Sequence, residues 1–154
     1  MDVVSHAAWG ATIIRTARFT WWAALVGALP DLLTFIYGII KFRGQYNKKL
    51  DAMGHGKIVI GSYFTVYRYT HSLLPISLVT LAVVSIWPEY WYITLPYYLH
   101  IFMDIFTHQG VWATRLLYPL SDFHFAGHNW WQNKWVSLGN WAAVISINFL
   151  LLAR

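Results

Sequence analysis

Five apolar windows separated by short polar stretches set the terms on which this chain can fold. They run over Val3 to Ala17, Trp21 to Phe42, His71 to Trp87, about Tyr90 to Thr107, and about Trp135 to Ala153. The last four each approach the roughly 20 residues that a helix needs to cross the hydrocarbon core of a bilayer. The second would be about 33 Å long as a helix, and Pro30-Asp31 interrupts it in the middle. The first lacks a basic start and a small-residue cleavage site, which argues against a removable signal peptide.

Composition agrees with a membrane setting. Charged residues are only 11% of the 154, against roughly 25% in a soluble domain. Ten Trp, ten Tyr and nine Phe are too many for one soluble core, because a domain of this size buries only about 70% of its unfolded surface. A disordered chain is excluded, and the composition argues against an ordinary cytosolic enzyme. The expected fold is all-α: residues 1–154 form one membrane-embedded domain, an integral bundle of four to five transmembrane helices. Its polar cytoplasmic loops fall at about 41–69 and 109–134.

Charge supplies an orientation. The chain carries 11 Lys and Arg against 6 Asp and Glu, a net +5. Lys41, Arg43, Lys48, Lys49, Lys57 and Arg68 crowd the 41–69 stretch, whereas Trp87-Pro88-Glu89 has no positive charge. The positive-inside bias therefore places 41–69 and 109–134 in the cytoplasm and the Pro88 turn outside, as in a bacterial-type inner membrane. The basic excess then serves anionic membrane lipid rather than nucleic acid. Trp21, Trp22, Trp87, Trp91, Trp130, Trp131 and Trp135 lie at the expected helix ends, as an interfacial aromatic belt would. Ile58 to Tyr69, rich in β-branched and aromatic residues, is expected to form a short strand or an interfacial segment.

The chemistry-bearing residues sit inside this apolar frame. His100, Asp104 and His108 recur at i, i+4 and i+8, and so line one face of the fourth helix. Ionisable groups within a membrane helix are costly and usually mark an interior site. Asp31, directly after Pro30, must be paired, protonated or bound to a cation, or must cap a helix that starts there. Thr70-His71-Ser72 puts His71 at a helix start, and His6 stands near the start of the first helix. Cysteine is absent, so a metal could be held only by His and carboxylates. Such ligands suit Zn, with Mn or Fe also possible, as one or two ions. The candidate metal ligands are His6, Asp31, His71, His100, Asp104 and His108. Asp31 and Asp104 are also candidates for handling a proton, and Arg68 for holding a phosphate oxygen. Asp122, His124 and His128 precede the last helix and are expected to face water or to orient other ligands. His55, between two glycines, reads as a loop residue. No nucleophile elbow, phosphate-binding loop or dinucleotide fingerprint is present.

These motifs resemble a family of small bacterial inner-membrane proteins, the YdjM-like membrane-bound metal-dependent hydrolases. The resemblance rests on His6, Leu29-Pro30-Asp31, Thr70-His71-Ser72, and His100 through Asp104 and Thr107 to Gly110, followed by Leu116-Leu117-Tyr118-Pro119. It covers about residues 3–120. The order His, Asp, His, His-x-x-x-Asp is also similar, more loosely, to that of zinc-dependent phospholipase C. Leu33 stands where the family commonly has a second acid, and Val66-Tyr67 where it commonly has His-Arg. His108, Asp122 or His124 are the residues available to compensate. The resemblance implies a metal-dependent hydrolase, and the membrane setting suggests a phosphoester in a lipid or lipid-linked substrate. A metal or proton transporter using the same residues is the alternative, as is a scaffold whose metal only ties helices together.

Overall fold

Among the described residues the chain is helical, with a single isolated bridge between Arg115 and His124 and no strand. The structure, a computed structural model, describes residues 1–16, 18–42 and 61–153. The helices are α1 (Val3–Ile13), α2 (Thr20–Phe42), α3 (Gly61–Thr70), α4 (Leu73–Ile86), α5 (Leu95–Thr107) and α6 (Lys134–Leu152). A 3₁₀ segment, Pro88–Thr94, joins α4 to α5.

Polarity is distributed as an apolar solvent requires. Buried positions include Ser5, His6, Thr34, His71, His100 and Asp104, while Trp21, Ile40, Leu78, Leu81, Leu150 and Leu152 face outward. On α2 the buried face is made of small residues, Ala23, Gly27, Thr34 and Gly38, and the exposed face of large ones. Small residues let helix backbones approach closely where no hydrophobic drive pushes them together. Gly27 shows this directly, since a Cβ there would lie 2.6 Å from the carbonyl oxygen of His6. Gly10 backs onto the carbonyl of Ala23 in the same way, so α1 runs antiparallel to α2.

Among the described residues two helices, α2 and α6, are long and apolar enough to cross a membrane. α3 and α4 together make a third candidate, bent by 45° at their break. The structure thus supports membrane association through two or three spans. α5 has only 13 residues because the chain between Pro88 and Thr94 coils as 3₁₀.

Local expectations fare unevenly. Pro30 does not interrupt α2, which runs continuously through it, so Asp31 is a mid-helix residue and not a cap. Pro30 lacks the N–H that would bond the carbonyl four residues back, a loss tolerated in membrane helices when neighbours meet the freed groups. Gly61 to Thr70 is a helix rather than a strand. Its buried residues, Phe64 and Tyr67, are spaced i, i+3, a helical period that the β-branched composition hides. Ile58, His55 and most of the basic 41–69 stretch lie outside the described residues.

The stretch between α5 and α6 folds back over the α3–α4 break. Ser72 Oγ donates to the carbonyls of Leu116 (3.0 Å) and Tyr118 (2.8 Å), and Tyr67 Oη donates to that of Trp112 (2.8 Å). α6 meets the rest chiefly through polar contacts with α1. Trp9 Nε1 donates to Asn140 Oδ1 (2.7 Å), Asn140 Nδ2 to Ser5 Oγ (3.0 Å), and Asn148 Nδ2 to Thr12 Oγ1 (2.7 Å). Both sets of partners ascend in number together, so α1 and α6 run parallel.

Candidate metal centre

Three separate pieces of chain deliver four polar groups to one point. α2 supplies Asp31 from mid-helix, the α3–α4 break supplies His71, and α5 supplies His100 and Asp104 on a single face. One ligand atom from each of these four lies within 4.8 Å of the others. His71, His100 and Asp104 are fully buried, whereas the Asp31 side chain is 19% exposed.

Backbone carbonyls fix the chemical state of both imidazoles. His100 Nδ1 lies 2.7 Å from the carbonyl oxygen of Gly27, and His71 Nδ1 lies 2.9 Å from that of Tyr67. A carbonyl can only accept, so each Nδ1 carries a proton, and in the neutral ring each Nε2 presents a lone pair. This is the outer contact that orients a ligating histidine. The two Nε2 atoms then face each other at 3.1 Å. His71 Nε2 is 3.3 Å from Asp31 Oδ1 and 3.6 Å from Asp104 Oδ2, and His100 Nε2 is 3.9 Å and 3.2 Å from the same two atoms.

Two imidazoles and two carboxylates turned inward form a buried cluster rich in acceptors, and a cation at its centre would compensate them. The spacing fits one: ligand bonds of about 2.0–2.1 Å in a tetrahedron put ligand atoms about 3.3 Å apart. The residues present therefore suit a divalent metal with mixed nitrogen and oxygen ligands; the donor set alone does not select which metal.

Asp104 has a second oxygen and a second set of neighbours. Its Oδ1 lies 3.0 Å from His6 Nε2, 3.1 Å from His108 Nδ1 and 2.5 Å from the Met1 nitrogen. The His6 ring stacks on that of His100 with centroids 3.5 Å apart, and neither His6 nitrogen makes a hydrogen bond. His108 reaches this position from just beyond α5, where it caps the helix in an extended conformation, and not from a third turn of the stripe.

The other candidates lie apart. The Arg68 guanidinium sits over the Tyr118 ring, 5.9 Å from its centroid, and its Nε is buried without a hydrogen-bond partner. Asp122 pairs with Arg115 at the surface, His124 Nδ1 contacts the carbonyl of Asp122 at 2.9 Å, and His128 is exposed. The structure thus gives these last three the water-facing role.

Sequence reasoning passed over the residues that aim the histidines, since carbonyls of Gly27 and Tyr67 leave no mark in side-chain chemistry. It also passed over Thr34, whose hydroxyl is 2.9 Å from that of Thr70, itself 3.0 Å from His71 Nδ1. A polar residue four places after Pro30, on the Gly27 face of α2, was the available signal. Compared with protein-family models, curated proteins and solved structures, the chain finds no match in any of the three.

Proposed function

We propose that the protein is a membrane-embedded, metal-dependent hydrolase acting on a phosphoester of a lipid or lipid-linked substrate. The observation that carries this reading is the pair of imidazole lone pairs facing each other at 3.1 Å between two carboxylates. The resemblance of the His6, Leu-Pro-Asp, Thr-His-Ser and His-x-x-x-Asp motifs to YdjM-like hydrolases supports the reaction class. A bound zinc, manganese or iron ion would supply a water acidic enough to ionise near neutral pH and a charge to neutralise the phosphoryl oxygens.

The chain's own residues divide the remaining work. His71 and His100, held by backbone carbonyls, and the fully buried Asp104 keep the ligand cage rigid. Asp31, the exposed member, stands at the open side, where its Oδ1 accepts a proton from the attacking water. The unpartnered Nε of Arg68, on the turn before His71, is a donor for a phosphate oxygen. His6 and His108, beside Asp104 Oδ1 and the Met1 nitrogen, are the residues that would hold a second ion in place of that amine. Depth suits a lipid head group: His6 neighbours Ser5, which meets Asn140 six residues into α6, roughly 9 Å below that helix's start. The orientation proposed is the positive-inside one, with the Lys41 and Lys134 ends in the cytoplasm of a bacterial-type inner membrane.

Elemental analysis of the purified protein tests the reading. Wild type should carry about one or two zinc, manganese or iron ions per chain, and Asp104→Ala should carry none. Hydrolysis of phosphoesters should disappear with the metal. A metal-free wild type would overturn the proposal.

A further inference from the structure

Beside the metal centre lies an apolar groove of about 400 Å³, within the size range of ligand pockets. Leu29 and Leu33 of α2 form one wall, and Ile76, Val79 and Val83 of α4 the other, with Ile93 closing the far end. Thr70 and Tyr97 form the wall shared with the centre. Thr70 precedes the ligand His71, and Tyr97 stands one turn before the ligand His100 on α5.

Of the four hydroxyl-bearing residues in the lining, Tyr69 is exposed and the other three are already committed. Tyr97 Oη donates to the Thr70 carbonyl (2.6 Å), Thr70 Oγ1 bonds the Tyr67 carbonyl (3.0 Å), and Thr94 Oγ1 donates to the Trp91 carbonyl (2.8 Å). An occupant is offered almost no hydrogen bond, so hydrocarbon is what fits. The groove also opens sideways into lipid, because Val79 is 53% exposed and Leu33 is exposed as well. It extends from the Thr70 level toward Val83 and Ile93, away from the Lys41 end of α2. A lipid with its head at the centre would send its chain the same way.

We propose that this groove holds one hydrocarbon chain of the lipid substrate while the phosphate head lies at the metal centre. The inference rests on the hydrolase reading for the identity of the head group. The groove selects substrates by chain: packing against its walls positions the head of a chain-bearing phosphoester at the centre, which a soluble one lacks.

The test uses the full chain in phosphatidylcholine vesicles doped with a phosphatidate whose acyl chain ends in a photoreactive diazirine. Peptides containing Ile76 to Val83 and Ile93 to Tyr97 should be labelled several-fold more per residue than lipid-exposed α6. Val79→Trp, which fills the groove at an exposed position, should bring that labelling down to the α6 level at unchanged metal content. The ratio of long-chain phosphatidate to p-nitrophenyl phosphate hydrolysis should fall about tenfold. Val83→Phe serves as the second variant where Val79→Trp does not fold. Labelling equal to α6 in wild type, or an unchanged substrate ratio in a folded, groove-filled variant, would overturn the groove assignment. Groove labelling that Val79→Trp abolishes, with no hydrolysis by any form, would support the chain site and overturn the hydrolase reading alone.

Discussion

Two helices of similar apolar composition, α5 and α6, meet opposite fates. α5 turns Tyr97, His100, Ile101, Asp104 and Thr107 into the interior, whereas α6 buries only Val144. In water the more hydrophobic helix would be the buried one. Here the helix that carries charge is inside, because lipid solvates leucine as well as a protein core does and solvates aspartate far worse. Polar groups therefore drive this assembly. Where they are dense and charged, at α5, they make a site, and where they are sparse and neutral, at Asn140 and Asn148, they make an attachment.

Breaking the α5 side should cost the most. His71→Ala removes one ligand and leaves the His100 lone pair and two carboxylates facing a gap. Metal retention after dialysis should drop at least about 100-fold, read by elemental analysis. Next comes the packing that brings the ligands together. Gly27→Ala forces a methyl against the His6 carbonyl and displaces the carbonyl that orients His100. A loss of about 1–3 kcal/mol in thermal or denaturant stability is expected, together with reduced metal content. Acid acts on the same side: metal retention should decline on acidification, since protons compete with the ion for each Nε2. Retention that rose on acidification would contradict histidine ligation.

The α6 side should yield smaller numbers. Asn140→Ala and Asn148→Ala should each cost about 0.6 kcal/mol, the usual scale for interhelical hydrogen bonds in a membrane, with metal content unchanged. Metal loss in either variant would show that α6 is coupled to the centre through α1. Leu150→Ala, on a lipid-facing position, should alter stability by less than about 0.5 kcal/mol.

Much of this contrast was legible beforehand. The windows beginning at Trp21, His71 and Trp135 correspond to α2, α4 and α6 within a few residues, because bilayer-length apolar runs are the strongest signal a short chain offers. Asp31, His71, His100 and Asp104 stood out since ionisable groups are rare in such runs. Other features depended on three-dimensional context. Pro30 looked like a break because its ring usually ends helices in water. Gly61 to Thr70 looked like a strand because aromatic and β-branched residues satisfy either geometry. His108 looked helical by spacing, although α5 ends at Thr107 and the side chain reaches Asp104 from the cap. Of the four to five spans expected, two or three candidates are seen among the described residues, since an apolar window does not reveal that Pro88 to Thr94 winds as 3₁₀ or that the helix pair at His71 is bent.

The bend at His71 has a consequence for how the molecule is made. The four inward-facing groups come from residue 31, from the break at residue 71 and from residues 100 and 104. A nascent chain inserting in order must carry Asp31 into the bilayer long before the other three arrive. Until α5 is in place, that carboxylate lacks its partners and is most cheaply kept protonated. The cage closes only when the last contributing helix docks, so capture of the proposed ion would be a late event in biogenesis and would report that the preceding helices have been threaded correctly. A chain stalled before residue 100 would have no cage in which to retain the ion, and metal occupancy would therefore distinguish finished molecules from unfinished ones in the same membrane.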